Sequence, residues 1–274
     1  MDLLKRLMKN KQFVFFSILA LMVVLIAVFA PWIAVKNPYD AIMTDSLIPP
    51  GEKYMWGTDR LGRDIFSRIV YGTRPSLIMT FTLVSVVFLL GTGFGILAGY
   101  FGGIIDTIIM RFADMMISFP GLVLAIAVAG LLGPSMTNAV LAIALVSWPK
   151  YARLARSLVL KIKNNMYIEA AIVGGARTGK IIERYLIPNM IPTMIVTATT
   201  DIGTMTLELA SLSFLGFGAQ APTPEWGLMF NEGRTYITKA SWLIMYPGIA
   251  IIAVVIIFNM PGDSIRDILD PKEN

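Results

Sequence analysis

Long uncharged runs alternate with short polar ones along the whole chain. A helix needs about 20 apolar residues to cross the hydrocarbon core of a bilayer. Residues 13–35 and 77–99 hold no charge, and neither does the run from Trp242 to Met260. A third stretch runs from about Thr107 to Leu132, with Arg111 and Asp114 near its start. A fourth covers about Met136 to Trp148, and a fifth, about Met190 to Leu215, carries Asp201 and Glu208. The pattern predicts an all-α integral membrane protein with six spans. The first run follows Lys5, Arg6, Lys9 and Lys11 and exceeds the 7–15 residues of a signal-peptide core, so it is read as an uncleaved helix.

The segments between the runs carry their own patterns. In 36–76, Pro38, Pro49, Pro50 and Gly51 break the chain into loop. Ile65, Phe66, Ile69 and Val70 among Arg63, Asp64 and Arg68 have the spacing of a short amphipathic helix at a membrane interface. The segment 149–189 is the most informative. Tyr167 to Val173 reads as a helix with a small-residue face. Gly174 and Gly175 can close it, because glycine accepts the left-handed conformation. Thr178 can cap a second helix bearing Ile181, Ile182, Tyr185 and Leu186, and Pro188 stops it or starts the next span. The expectation is a protruding helix-turn-helix edged by basic residues. A plain basic loop is the alternative. The divisions expected are 1–76, with the first span and an outer loop, and 77–274, a five-helix core containing the 165–188 elbow.

Composition agrees with a bilayer environment. Of 274 residues, 56% are hydrophobic and 15% charged, against about 25% charged in a soluble domain. Mean hydropathy is +0.70. Cys and His are absent, which removes disulfides, thiolate nucleophiles, imidazole bases and Cys/His metal sites. The net charge of +5 fits membrane topology rather than nucleic acid. With the N-terminus inside and six alternating spans, fourteen Lys and Arg lie inside, among them Arg266 and Lys272, and eight lie outside. That bias places both termini in the cytoplasm.

Intramembrane charges are costly and face the interior. Arg111 and Asp114 can pair as neighbours on one helix face. Asp201 and Glu208, seven apart, share a face. They line a wet solute pathway or meet a partner subunit. Gly91, Gly95 and Gly99 form a small-xxx-small stripe that brings helices close, inside the subunit or between subunits.

The elbow also resembles a known family. Glu169-Ala170-Ala171, three residues, Gly175, nine residues, Tyr185, one residue, Ile187-Pro188 resembles the EAA loop of ABC importer permeases. Tyr185 stands where that pattern has Ile or His, and Ile187 where it has Leu. The run from Trp56 to Arg68, Ser213 to Gly218, and Pro222 to Gly227 resemble, in order, the C-subunit permeases of dipeptide, oligopeptide and nickel importers. The resemblance implies a type I ABC importer permease fold in the plasma membrane of a prokaryote. It implies a partner permease, a heterodimer being expected, two ATPase subunits and an extracytoplasmic solute-binding protein. In it, Glu169, Ala170, Ala171, Gly175, Tyr185, Ile187 and Pro188 couple to the ATPase. Asp59, Arg63, Asp64 and Trp226 belong to the outer, binding-protein side, and Pro222, Pro224 and Trp226 give the outer loop a rigid surface. ATP and Mg are expected on the partners, since this chain has no G-x-x-x-x-G-K-[ST] loop. No catalytic or metal-ligating residue is expected. Without His or Cys, a nickel solute would have to pass as a chelate or rely on the other subunits for its ligands.

Two other classes compete: a proton-coupled secondary transporter using Asp201 and Glu208, for which inverted repeats are expected and none is visible, and a membrane-embedded enzyme with those carboxylates as its paired groups.

Overall fold

A computed structural model describes residues 2–269 and is all-helical, with a single isolated bridge between Thr58 and Asp64 among the described residues. Lys272, expected on the inner side, lies outside them. The helices are α1 (Asp2–Lys9), α2 (Lys11–Ile33), α3 (Ile65–Phe101), α4 (Gly103–Ile117), α5 (Gly121–Leu132), α6 (Met136–Lys163), α7 (Met166–Val173), α8 (Thr178–Ile181), α9 (Ile187–Phe214), α10 (Trp226–Gly233) and α11 (Trp242–Leu269). A π turn, Ile182–Leu186, joins α8 to α9. The chain divides into two compact units, 1–82 with 126–142 and 199–274, and 83–125 with 143–198. The boundaries fall inside helices α3, α5, α6 and α9.

In the first unit α2 packs along α11. Ala20, Val23, Val24 and Ala27 lie against a core that includes Ile65, Ile69, Trp226, Leu243 and Phe258. Asn10 separates α1 from α2 by accepting the Gln12 and Phe13 N–H groups, which satisfies donors left open by a new helix start. A Cβ on Gly203 would fall 2.2 Å from Asn259, and one on Gly262 would fall 2.7 Å from Thr200. The numbers run in opposite senses, so α9 and α11 are antiparallel.

In the second unit the glycine stripe of α3 packs on α6. A Cβ at Gly91 would meet Tyr151 and Trp148, one at Gly95 would meet Ala152 and Ala155, and one at Gly99 would meet Val159 and Arg156. The stripe therefore serves packing within the subunit. The numbers rise together, so these helices run parallel. Asp106 receives both Arg156 Nε and Nη2 at 2.5 and 2.6 Å. Asp114 pairs with Arg153 at 2.5 Å, a partner from α6 instead of its sequence neighbour Arg111.

Three expected elements change. The third apolar stretch is two helices, α4 and α5, bent by 94°. The break lies at Ser118–Phe119–Pro120, where a residue preceding proline is driven from the helical region. The fourth stretch does not end at Trp148. It continues through Pro149 to Lys163, held by the glycine stripe and the two ion pairs, so the loop before α9 is shorter than its polarity suggests. The amphipathic run 65–70 is not a separate interfacial helix but the start of the 37-residue α3, and Ile65, Ile69 and Val70 are buried. Three single helices, α2, α3 and α11, are long and apolar enough to span a membrane, and the bent pair makes a fourth candidate.

Candidate coupling elbow and outer mouth

The elbow is built by its glycines. α7 ends with Gly174 at its cap, and Gly175 follows at φ +81°. The Gly175 N–H reaches Ile172 O at 2.9 Å and the Ala176 N–H reaches Ala171 O at 3.0 Å. That paired pattern is the Schellman closure, which satisfies the last carbonyls of a helix. The second arm starts at Thr178, but the N-cap position belongs to Arg177 and no side chain caps it, so the expected Thr178 cap is not formed. The chain then runs through the π turn, whose Ile187 N–H bonds to Ile182 O. The five-residue spacing relieves the clash that the Pro188 ring would have with an α-helical carbonyl four residues earlier. Pro188 therefore sits in the opening of α9 and does not stop the helix.

Ile168 on the first arm and Ile181 and Leu186 on the second are buried. Tyr167 and Tyr185 face each other with ring centroids 6.3 Å apart. The outward face is otherwise open. Glu169, Ala170 and Pro188 are exposed, Ala171, Tyr185 and Ile187 half-buried, and Met166 and Val173 are 87% and 89% exposed.

Within the first unit, the segment 36–64 folds against α10 and the start of α11. Asp59 accepts Arg63 Nε at 2.6 Å. Arg63 and Arg68 both reach Glu232 of α10, at 3.1 and 3.3 Å, and Arg68 also donates to Pro38 O at 3.4 Å. Asp64 caps the start of α3 through the Ser67 N–H at 2.8 Å. Trp242 Nε1 donates to Thr58 O, and Trp226 Nε1 to Ile69 O, both at 3.1 Å. Asp59, Arg63, Asp64 and Trp226 are thus buried. Their side chains lie within the packing of the 36–76 segment and α10 rather than at its surface. Pro224 is buried too, leaving Pro222 as the exposed member of the expected rigid surface. Arg68, the last residue of the Trp56–Arg68 motif, and Glu232, which the sequence did not single out, complete the cluster. Glu232 lies 169 residues from Arg63, and no local pattern announces it.

Glu225 holds α10 in place. Its carboxylate accepts the Gly227 and Leu228 N–H groups at 2.9 Å and the Ser76 hydroxyl at 3.4 Å. Burial pushes its carboxyl up from the usual range, and those donors, with Ser213, draw it back. At the loop's tip Asp45 accepts Lys53 Nζ at 2.7 Å and the Tyr54 hydroxyl at 2.6 Å. These bonds hold Asp45 below the usual carboxylate range, and the same bond pushes Tyr54 up to about 12.

Within α9, Asp201 is buried and Glu208 half-buried, and each interacts with neighbours. Among the described residues no group of three or more Asp, Glu, His or Cys is placed to hold a metal ion.

The family model described as "binding-protein-dependent transport system inner membrane component" matches residues 91–274. That described as "N-terminal TM domain of oligopeptide transport permease C" matches residues 1–50. The chain is 44% identical over 268 residues to the dipeptide transport system permease protein DppC of Alkalihalophilus pseudofirmus, covering 98% of this chain and 88% of that one. It is 40% identical over 254 residues to the nickel transport system permease protein NikC of Escherichia coli K12, covering 93% and 92%. In fold it is similar to the inward-facing MetNI methionine ABC transporter, with TM-score 0.60 and 20% identity over 75% of this chain and 98% of that one. These likenesses set aside both the proton-coupled transporter and the membrane-embedded enzyme. The chain belongs to the family of binding-protein-dependent transport system inner membrane components, as a multi-pass, non-catalytic permease subunit of an ATP-driven importer.

Proposed function

We propose that this permease carries peptides or nickel, the metal as a chelate, from an extracytoplasmic binding protein into the cytoplasm. It works paired with a second, different permease above two ATPase subunits that hold ATP and Mg. The carrying observation is the elbow: a glycine-closed helix with exposed apolar residues and an exposed Glu169. Such a helix fits a groove in a separate motor, and the chain has no phosphate-binding loop of its own. In this reading Ala170 and Ala171 allow close approach, Glu169 makes the polar contact, and the Tyr185–Pro188 stretch joins the elbow to α9.

The names of the relatives support both solutes, since they include dipeptide and nickel permeases. The absence of His and Cys leaves carboxylates, carbonyls, hydroxyls and Met sulfur as ligands, which supports a chelate over a bare ion.

Six crossings with both termini in the cytoplasm fit the helix directions. Parallel α3 and α6 need one return between them, so the bent α4–α5 pair counts as a single crossing. The division at residue 76 follows the same scheme, with 1–76 as first span and outer segment and 77–274 as core. Asp201 and Glu208 would lie on the solute route. The buried Asp59, Arg63, Asp64 and Trp226 would keep the outer mouth in the shape that meets the binding protein.

Uptake of labelled dipeptide and of radioactive nickel, with and without a metallophore, tests the solute. Saturable, binding-protein-dependent uptake of either supports the proposal, and uptake of neither overturns it. Glu169→Arg should abolish uptake and loosen ATPase association with membrane insertion intact. Full association of that variant would sink the coupling role.

A further inference from the structure

The second arm of the elbow carries a feature that α7 does not explain. Arg177, Lys180 and Arg184 are three and four residues apart and exposed, Arg177 in extended backbone just before α8, Lys180 within α8 and Arg184 in the π turn. They share the wall of an open concavity of about 880 Å3 with the bare glycines 174, 175 and 179. Among the described residues none of the three forms an ion pair. Glu183 is the one carboxylate on the same wall, so the concavity is net positive. The exposed apolar groups Met166, Ile172 and Val173 lie on the first arm. The elbow thus presents two arms of different chemistry.

We propose that Arg177, Lys180 and Arg184 form a basic ridge that pairs with an acidic strip on the ATPase subunit, beside the groove that receives α7. This rests on the coupling reading above and adds the chemistry of the partner surface. Anionic lipid is the competing source of negative charge. A bilayer surface is a plane, whereas these cations line a recess together with three glycines, which admits a convex protein edge. Ala171 of α7 lines the same concavity, so a partner gripping α7 reaches these cations without a second docking event. Exposed ion pairs individually contribute little but act together on encounter and register, and they are screened by salt within about a Debye length. The division of labour follows: the apolar arm supplies contact that salt leaves alone, and the basic arm aligns the motor.

The test measures ATPase association with the complete permease pair in nanodiscs, from 50 mM to 1 M salt. For the triple variant Arg177→Gln, Lys180→Gln, Arg184→Gln we expect about tenfold weaker association at low salt, convergence with the parent at high salt and a flatter salt slope. Arg177→Lys with Arg184→Lys keeps the charges and should keep the slope. Val173→Asp should lose association at every salt concentration. A triple variant with the parental slope overturns the ridge and leaves the coupling reading standing if Val173→Asp still fails. Parental association of Val173→Asp overturns the coupling reading itself. Repeating the series in purely zwitterionic and in anionic nanodiscs separates the sources: a slope that persists without anionic lipid supports the protein strip, and one that vanishes overturns it.

Discussion

At Gly175 one backbone angle decides whether the elbow turns. Its φ of +81° is left-handed, yet a Cβ there would meet nothing within 4 Å. Gly175→Ala therefore costs backbone strain alone, about 1–2 kcal/mol, and should loosen the turn without unfolding the permease. Hydrogen exchange at Gly174–Arg177, compared with α6, measures it. Glu232 is the opposite case. It stands between two arginines that are 2% and 1% exposed, and removing one partner of a buried ion pair costs about 3–5 kcal/mol. Glu232→Ala should lower thermal stability by that order, far more than the exposed Arg60→Ala, in a melting series of the purified protein. Asp45 sets a pH dependence. Its folded carboxyl titrates below its ordinary value of 3.8, so its contribution is complete above that value and fades as pH falls through the lower folded one. Proteolysis of the 36–64 segment should rise below about pH 4, and Asp45→Asn should blunt that rise. The Gly-Gly closure was readable because φ > 0 is a local demand. Glu232 was not, because its partners are distant in sequence.

Among elements, the glycine stripe of α3 sets how closely α6 can approach. A Cβ at Gly95 would lie 2.5 Å from Ala152 O and from Ala155 Cβ. Both are held in a helix with no flexible end to yield. Gly95→Ala should destabilise by about 1–3 kcal/mol as overpacking, while Gly93→Ala, which faces open space, should be neutral. Detergent melting of the two variants side by side checks this. The same packing explains why α6 outlasts Pro149. Local propensity says stop at a proline, but continuing the helix places Arg153 and Arg156 on Asp114 and Asp106. The π turn before Pro188 shows the other solution, a widened turn in place of a break. Apolar runs in the sequence located most helices, but they carried no information on a 94° bend at Pro120 or on where a polar helix continues.

For the molecule as a whole, a chain without cysteine is a ready background for measuring orientation. Single cysteines at Thr178 and Lys239 should label from opposite sides of the membrane, Thr178 from the cytoplasm. Labelling of both from one side would dissolve the six-crossing scheme. The sequence by itself determined the solvent and the class: long uncharged runs must lie in lipid, and an ordered set of motifs, each depending on neighbours a few residues apart, marks the family and the elbow. Tertiary structure alone decided the buried ionic cluster of the 36–76 segment and α10, the exchange of Arg111 for Arg153 as the partner of Asp114, and the use of the glycine stripe for packing on α6 within the subunit. The physical reason is one of range. Helix closure, span length and turn geometry are set by residues within a turn or two, whereas a buried charge takes whatever opposite charge packing brings near, irrespective of its distance along the chain.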